Sequence, residues 1–328
     1  MGGQAKLPKI IIHDTIHSKA LDFLSEQEGL EIIFVDADDR SKLLANLLDA
    51  EAIILRYLPF DRECIEASKR LNVISRHGVG YDNIDMESAN MFSIPVATIG
   101  DVNSVTVAEL TIYLILSSAK QGPRHNMAVR EGNWKIRENA DAFDLAGKNV
   151  LVLGFGRIGK KVAKRIQSFE TKVFVCDPYI SQDLIKDAGC IPVPKYADIL
   201  HNMDIVTIHV PLNTETELMI NKNFVDKMKN GYVLVNTARG PIVDTSSVGE
   251  ALVSGKLFSV ACDVFDPEPP YNNNPILNSP RSILTPHVGG LTQECSIRSA
   301  LRAAENALAG VKGVLDKKFL VNPQVLNK

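Results

Sequence analysis

Lys148-Asn149-Val-Leu-Val-Leu153-Gly154-Phe155-Gly156-Arg157-Ile158-Gly159 is the stretch on which the reading of this chain turns. Residues 149–153 are a short apolar run rich in Val and Leu, the composition of a strand buried on both faces. Three glycines follow at once in the spacing G-x-G-x-x-G. A helical pattern comes next, with Ile158, Val162, Ala163 and Ile166 on one face and Lys160, Lys161 and Lys164 outside. A second apolar run, 172–176, ends in Asp177.

Each part has a physical role. Gly154 permits the tight turn off the strand, Gly156 lets a pyrophosphate approach the backbone, and Gly159 lets the helix pack close to the sheet. The helix N-terminus offers N–H groups and a partial positive charge to the diphosphate. Asp177 is placed to accept hydrogen bonds from both hydroxyls of an adenine ribose and would repel a 2′-phosphate, so NAD is expected over NADP. A lone glycine motif is weak. Here strand, glycines, helix, second strand and acid occur in order, which points to a dinucleotide site. The lysines read as a solvated helix face.

The 328 residues are enough for two domains with separate cores. The 36 Lys and Arg against 39 Asp and Glu give a net charge of −3, so bulk attraction to nucleic acid or an anionic membrane is not expected. The five scattered cysteines contain no C-x-x-C and read as reduced thiols of a cytoplasmic protein. The N-terminus lacks the apolar core of a signal peptide and has Lys6 where a myristoylation signal wants Ser or Thr. The most apolar run, 110–116, is far shorter than the ~20 residues that span a bilayer.

Strands are expected at 10–12, 32–35, 52–55, 73–75 and 95–99, with helices at 18–26, 40–48, 62–68 and 86–91 between them. That alternation implies a parallel sheet covered on both faces. No glycine-rich loop follows the first strand. The fourth ends in Ser75-Arg76-His77-Gly78-Val79-Gly80-Tyr81-Asp82-Asn83, where two glycines would let a small anion reach backbone N–H groups. The same residues also read as a turn with Asp82 or Asn83 capping the next helix. Residues 102–120 are apolar on most of a helical circumference and should be buried in an interior or a subunit interface. Residues 121–147, with the only tryptophan, Trp134, read as a polar arm. Beyond Asp177, strands are expected at 205–209, 232–236, 260–263 and 282–284. Helices are expected at 195–202, 221–229 and 245–254, and a last one near 292–310. A proline- and asparagine-rich loop covers 266–281.

Three strand ends of this second half carry Asn236-Thr237-Ala238-Arg239-Gly240, Asp263-Val-Phe-Asp-Pro-Glu268-Pro and Thr285-Pro-His287-Val-Gly289. In a doubly wound sheet all three would face the nicotinamide crevice. An arginine suits bidentate binding of a carboxylate. A histidine exchanges a proton near neutral pH, and a neighbouring carboxylate favours its charged form and fixes the ring. Singly, His287 reads as a cap or core histidine and Glu268 as a solvated loop charge. Together they make a site for reducing a 2-oxo acid.

With these residues in view the chain resembles the D-isomer-specific 2-hydroxyacid dehydrogenases over nearly its whole length. The matching segments are Arg76-His-Gly-Val-Gly-Tyr-Asp-Asn-Ile-Asp85, Asn103-Ser-Val-Thr-Val-Ala-Glu109, the glycine stretch, His209-Val-Pro-Leu212, Val235-Asn-Thr-Ala-Arg-Gly240, Asp263-Val-Phe-x-x-Glu268-Pro, Thr285-Pro-His287 and Val321-Asn-Pro323. The resemblance implies two doubly wound α/β parallel-sheet domains with a cleft between them. A flavodoxin-like substrate domain would comprise 1–102 and 297–328. A Rossmann NAD-binding domain would comprise 103–296, including a dimerisation arm at about 104–147 of a homodimer.

By motif, the resemblance gives Arg239 the substrate carboxylate and carbonyl, His287 the acid/base role and Glu268 the support of the histidine. It assigns substrate contacts to Arg76, Val79, Gly80 and Asn103. Cofactor contacts fall on Gly154, Gly156, Arg157, Ile158, Gly159, Asp177, His209, Pro211, Thr237, Ala238, Asp263 and Gly289, and no metal is implied. Asp263 would meet the nicotinamide carboxamide, and Pro211 would line the adenine pocket. Within the family the phrasing is most similar to phosphoglycerate dehydrogenases. Only a few residues follow Pro323, so serine feedback through a C-terminal regulatory domain is not expected. Arg56 and Arg76 would meet a phosphate or sulfonate, or serve as surface ion-pair partners. Candidate substrates are 3-phosphoglycerate and the hydroxypyruvate/glyoxylate class; an NAD-sensing corepressor is the alternative from another class.

Overall fold

Short strands with no polar alternation need cover on both faces, and helices supply it here. In the computed structural model, residues 7–139 and 141–327 are described. Residues 1–6, read above for targeting signals, lie outside them. The chain divides into two units, Met1–Asn103 with Leu291–Lys328, and Ser104–Gly290.

The first unit holds strands β1 (Lys9–His13), β2 (Glu31–Val35), β3 (Ala52–Leu55), β4 (Val73–Arg76) and β5 (Val96–Ala97). All pairings are parallel, in the order β2-β1-β3-β4-β5. This is a doubly wound order of the flavodoxin type, with its switch point between β1 and β3. Ile11 packs into one core with Leu43, Leu47 and Ile53; Ile10 and Ile12 pack into the other with Leu24 and Ile54. The helix Gln293–Val311 returns to that second face, laying Ala300, Ala303, Ala304 and Ala307 on the sheet. Its small residues permit a close approach: a Cβ at Gly310 would lie 2.2 Å from Val73 Cγ1. The edge beside β5 is closed by the C-terminal segment. Leu320 bridges Ala97 antiparallel, and Asn322 Oδ1 accepts from the Val96 amide at 2.8 Å.

The second unit holds β6 (Asn149–Leu153), β7 (Lys172–Cys176), β8 (Ile191–Pro192), β9 (Ile205–Ile208), β10 (Tyr232–Asn236), β11 (Leu257–Cys262) and β12 (Ser282–Leu284). They form one parallel sheet in the order β12-β11-β10-β9-β6-β7-β8. The order in which strands are added reverses between β6 and β9, as in a dinucleotide-binding fold. Helix starts in both units are capped by side-chain acceptors, Asp39, Asp61, Asp85, Ser181, Asn221, Asp244 and Thr292 among them.

Several sequence expectations need correction. The helix expected at 195–202 is two 3-10 turns, Tyr196–Asp198 and Leu200–Asn202, closed by i→i+3 bonds from the Ile199 amide to Tyr196 O and from the Met203 amide to Leu200 O. The arm at 121–147 contains the α-helix Gly122–Arg130 and the 3-10 turn Trp134–Glu138. Pro123 suits the first turn of that helix, and its polar surface had masked the helix in the sequence. The strand expected at 95–99 is only Val96–Ala97, and the helix Gln182–Asp187 and strand β8 had not been expected. Within the apolar run 110–116, Thr111, Leu114 and Ile115 are buried in the chain itself, whereas Tyr113 is 52% exposed. Among the described residues, no helix is long and apolar enough to cross a membrane.

Candidate active site

The glycine turn fits the backbone of a dinucleotide, and each glycine is required for a different reason. Gly154 has φ +91°, and a Cβ there would lie 2.6 Å from the His209 carbonyl oxygen. At Gly159 a Cβ would lie 2.0 Å from the Gly154 carbonyl oxygen, so the helix Arg157–Ile166 sits hard against the turn. A Cβ at Gly156 would meet nothing within 4 Å. Packing therefore demands two of the glycines, while the third opens onto free space at a helix N-terminus, where a pyrophosphate would lie. Arg157 and Ile158 form the first turn of that helix.

Asp177 follows β7. Its Oδ2 accepts from the Phe155 amide at 2.7 Å and its Oδ1 from the Tyr179 amide at 2.8 Å. The carboxylate is thus tied to the glycine turn itself. His209 follows β9; its amide donates to Leu153 O at 2.7 Å, and its Nε2 lies 2.9 Å from Thr207 Oγ1. Burial lowers its pKa to about 3, so the ring is neutral, and its buried Nδ1 has no hydrogen-bond partner among the described residues. Pro211 is exposed two residues further on.

The ends of β10, β11 and β12 are brought together. Asn236 Nδ2 donates to Arg239 O at 2.8 Å and its Oδ1 accepts from the Ala238 amide at 3.0 Å, which cinches the turn carrying Arg239. Gly240 must be glycine, because a Cβ would come within 2.0 Å of Phe265 O. That contact sets the Arg239 turn against the loop bearing Glu268. The Arg239 guanidinium donates to Ala238 O at 2.7 Å. Thr237 is buried, its hydroxyl 3.0 Å from that of Thr111.

Glu268 faces His287, with Oε2 2.7 Å from Nδ1 and more than a third of each side chain exposed. Glu268 Oε1 also accepts from the Phe265 amide at 2.9 Å. Burial pushes the Glu268 pKa up. The hydrogen bonds from His287 and Phe265, with the charges of His287 and Arg239, outweigh it and hold the carboxyl below the usual glutamate value. His287 has φ +53°, a left-handed conformation uncommon for a residue with a side chain. It is held there by Asp263, whose carbonyl accepts from the His287 amide at 2.8 Å.

Asp263 anchors the whole turn. Its Oδ1 accepts from the Thr285 hydroxyl at 2.5 Å and the Val288 amide at 2.9 Å, and its Oδ2 from the Gly289 amide at 2.8 Å. Burial raises its pKa against those three donors. The sequence reading gave Asp263 a cofactor contact only. In the fold its carboxylate also shapes the His287 turn, which Thr285 at a spacing of two residues before the histidine was the one signal to suggest.

The first unit contains the other candidates. Arg76 ends β4, with Nε 3.3 Å from Asn83 Oδ1 and Nη1 2.7 Å from His77 O. Val79 and Gly80 follow in the same loop, and Asn103 closes the segment with a buried Oδ1 that has no partner among the described residues. Asn83 donates to Arg56 O and Leu58 O, so it ties two loops together as well as ending the turn. The Arg56 and Arg76 guanidinium carbons lie 4.9 and 5.6 Å from the Tyr57 ring centre. Arg56 also pairs with Asp14 at 3.3 Å. Two histidines missed by sequence reasoning accompany them. His77 is driven down to about 4 by burial and by the charges of Arg56 and Arg76, and His13, at the end of β1, is lowered by burial. His13 belongs to no motif and His77 lies within the Arg76–Asp85 segment without an assigned role; only the tertiary fold shows that His13 is buried and His77 half-buried.

Comparison with known proteins agrees with this architecture. Residues 112–289 match the family described as D-isomer specific 2-hydroxyacid dehydrogenase, NAD binding domain. The chain is 34% identical to D-3-phosphoglycerate dehydrogenase of Archaeoglobus fulgidus over 93% of its length, and spans 58% of that protein. It is 35% identical to glyoxylate reductase of Thermofilum pendens, covering 97% of this chain and 96% of that one. The crystal structure of D-lactate dehydrogenase from Aquifex aeolicus, complexed with NAD and lactic acid, superposes with a TM-score of 0.86 at 28% identity, covering 95% of this chain and 98% of that one. With its NAD-binding unit, its sheet orders and its motifs accounted for, the chain belongs to the D-isomer specific 2-hydroxyacid dehydrogenase family.

Proposed function

We propose that this protein is an NAD-dependent dehydrogenase that interconverts a D-2-hydroxy acid and its 2-oxo acid. The observation that carries the proposal is the Glu268–His287 pair, 2.7 Å apart, on strand ends adjoining the Arg239 turn within an NAD-binding unit.

NAD, when bound, supplies and accepts the hydride. Gly156 and the following helix N-terminus would hold its pyrophosphate, and Asp177 its adenine ribose, with Pro211 near the adenine. Thr237, Ala238, Asp263 and Gly289 are assigned to its nicotinamide half. Arg239 is the group that would clamp the substrate carboxylate and polarise the carbonyl. Because His287 Nδ1 is committed to Glu268, proton exchange with the carbonyl oxygen falls to Nε2. Glu268 is a positioning residue, since it acts through the ring. In the first unit, Val79 and Gly80 would offer backbone N–H groups to a carboxylate, with Asn103 and Arg76 as further polar contacts.

The substrate class follows from the relatives and from two arginines. The relatives' names point to 3-phosphoglycerate or to glyoxylate; hydroxypyruvate belongs to the same chemical class as glyoxylate. The paired stacking of Arg56 and Arg76 on Tyr57 supports a substrate with a second anionic group. The exposed Met127, Val129 and Trp134 support a homodimer built on residues 104–147. The five free cysteines suit a reducing, cytoplasmic compartment.

The test is NADH oxidation against glyoxylate, hydroxypyruvate, pyruvate, 2-oxoglutarate, sulfopyruvate and phosphohydroxypyruvate. Turnover of at least one is expected, and failure to reduce any of them while NADH still binds would overturn the reading.

A further inference from the structure

A chain of hydrogen bonds runs round three strand ends of the NAD-binding unit. The Phe155 amide, in the glycine turn after β6, donates to Asp177 Oδ2. Asp177 Oδ1 accepts from the Tyr179 amide. The Tyr179 hydroxyl then donates to Glu215 Oε2 at 3.4 Å. The backbone that carries Glu215 is held by Asn213, whose Oδ1 accepts from the amides of Glu215 at 2.9 Å and Thr216 at 3.0 Å. The Thr216 hydroxyl donates to Pro211 O at 2.6 Å, and two residues back the His209 amide returns to Leu153 O on β6.

The sheet order makes the course of this chain informative. β7 and β9 are the two neighbours of β6, so the loops after them flank the glycine turn on opposite sides. Tyr179 belongs to one flanking loop and Glu215 to the other. Every other link in the sequence of bonds uses a backbone group; Tyr179–Glu215 is the one made by two side chains. Tyr179 is also 79% exposed, so its ring is open to solvent and to a ligand beside Asp177. A ring and a carboxylate are thus joined across the flanks of the glycine turn, on the side of Asp177, by a contact that involves no backbone hydrogen bond.

We propose that Tyr179 and Glu215 form a clasp across the adenosine end of the cofactor site, which opens to admit the dinucleotide and slows its departure when closed. Both are positioning residues for the cofactor and take no part in the proton or hydride chemistry. The proposal rests on the NAD-site reading above, with the adenosine moiety as the chemistry recognised.

Binding and release of NADH, ADP-ribose and reduced nicotinamide mononucleotide separate the possibilities without any substrate. In Tyr179→Phe and in Glu215→Ala, the dissociation rates of NADH and ADP-ribose should rise about threefold to tenfold, the range for one lost hydrogen bond. The double variant should lose no more than either single one, because one link is broken in each case. Binding of reduced nicotinamide mononucleotide and the melting temperature should stay at wild-type values. ADP-ribose release within twofold of wild type in both single variants overturns the clasp. So does equal weakening of the mononucleotide, which would signal a general structural defect. If ADP-ribose fails to bind the wild-type protein at all, the cofactor placement and the clasp fall together; if it binds and no 2-oxo acid is reduced, only the catalytic reading falls.

Discussion

Glu268 Oε2 stands 2.7 Å from His287 Nδ1, and this contact engages one of the two ring nitrogens. A carboxylate accepts and does not donate, so the Nδ1 proton is held on the side of the ring facing Glu268. The left-handed backbone of His287, secured through Asp263, then directs the opposite edge of the ring away from that contact.

His287→Asn should lower kcat for reduction by about 10²–10⁴, the usual cost of removing a general acid, while NADH affinity stays close to wild type. Stopped-flow hydride transfer and a fluorescence titration measure the two separately. A variant that reduces accepted 2-oxo acids at the wild-type rate would assign the proton to another group.

Glu268→Gln should lower kcat by less than His287→Asn does, with NADH affinity unchanged, as expected for a residue that acts through the ring. In the folded protein the Glu268 carboxyl titrates below its ordinary value of 4.5. Its ionised form therefore contributes stability above that value, and the contribution is lost as pH falls through the lower, folded value. Urea titrations of wild type and variant should differ by a constant amount at neutral pH and converge under acid.

Arg239→Lys keeps the charge but loses the planar fork, so KM for the 2-oxo acid should rise while kcat falls. Steady-state kinetics with the best panel substrate tests this. A change in KM alone would mean that Arg239 binds substrate without acting on the carbonyl.

Gly156→Ala and Gly159→Ala should separate binding from folding. The added methyl at Gly156 meets no protein atom, so thermal stability should hold while NADH affinity drops at least tenfold. At Gly159 it would strike the Gly154 carbonyl, and the strain should cost about 1–3 kcal/mol of stability. Asp177→Ala should weaken NAD binding and narrow its advantage over NADP.

Acid should weaken the first unit through its buried histidines. The His77 ring has an ordinary value of 6.5 and a folded value of about 4. The unfolded chain takes up this proton first, so stability falls as pH drops from 6.5 towards 4 and the loss levels off below that. His77→Asn should flatten the fall in that window, read by denaturant titration at stepped pH. An unchanged slope would place the sensitivity elsewhere.

Legibility in the sequence followed the range of the forces involved. The tight turn at Gly154 and the close helix packing at Gly159 could be read because local backbone geometry requires them. Arg239, Glu268 and His287 could be collected because a parallel sheet delivers all its strand ends to one side. The residues left unread act across space. Asp263 as the anchor of the His287 turn, Gly240 against Phe265, and the buried rings of His13 and His77 depend on chain segments far apart in sequence. The helix Gly122–Arg130 was hidden by its polar surface, since only Ala128 of that helix is buried.

The return of the helix Gln293–Val311 to the first unit also governs the order in which the chain is able to fold during synthesis. The alanines that cover Ile10, Ile12 and Val73, and the Asn322 that closes the edge of β5, leave the ribosome more than two hundred residues after the strands they complete, 226 in the case of Val96 and Asn322. The continuous NAD-binding unit is by then entirely made and free to fold first. Until the last segment emerges, the part of this face that Ala20 and Leu24 leave uncovered stays exposed as an apolar surface. Truncation within residues 293–322 should accordingly cost soluble yield more than it costs the stability of the isolated NAD-binding unit.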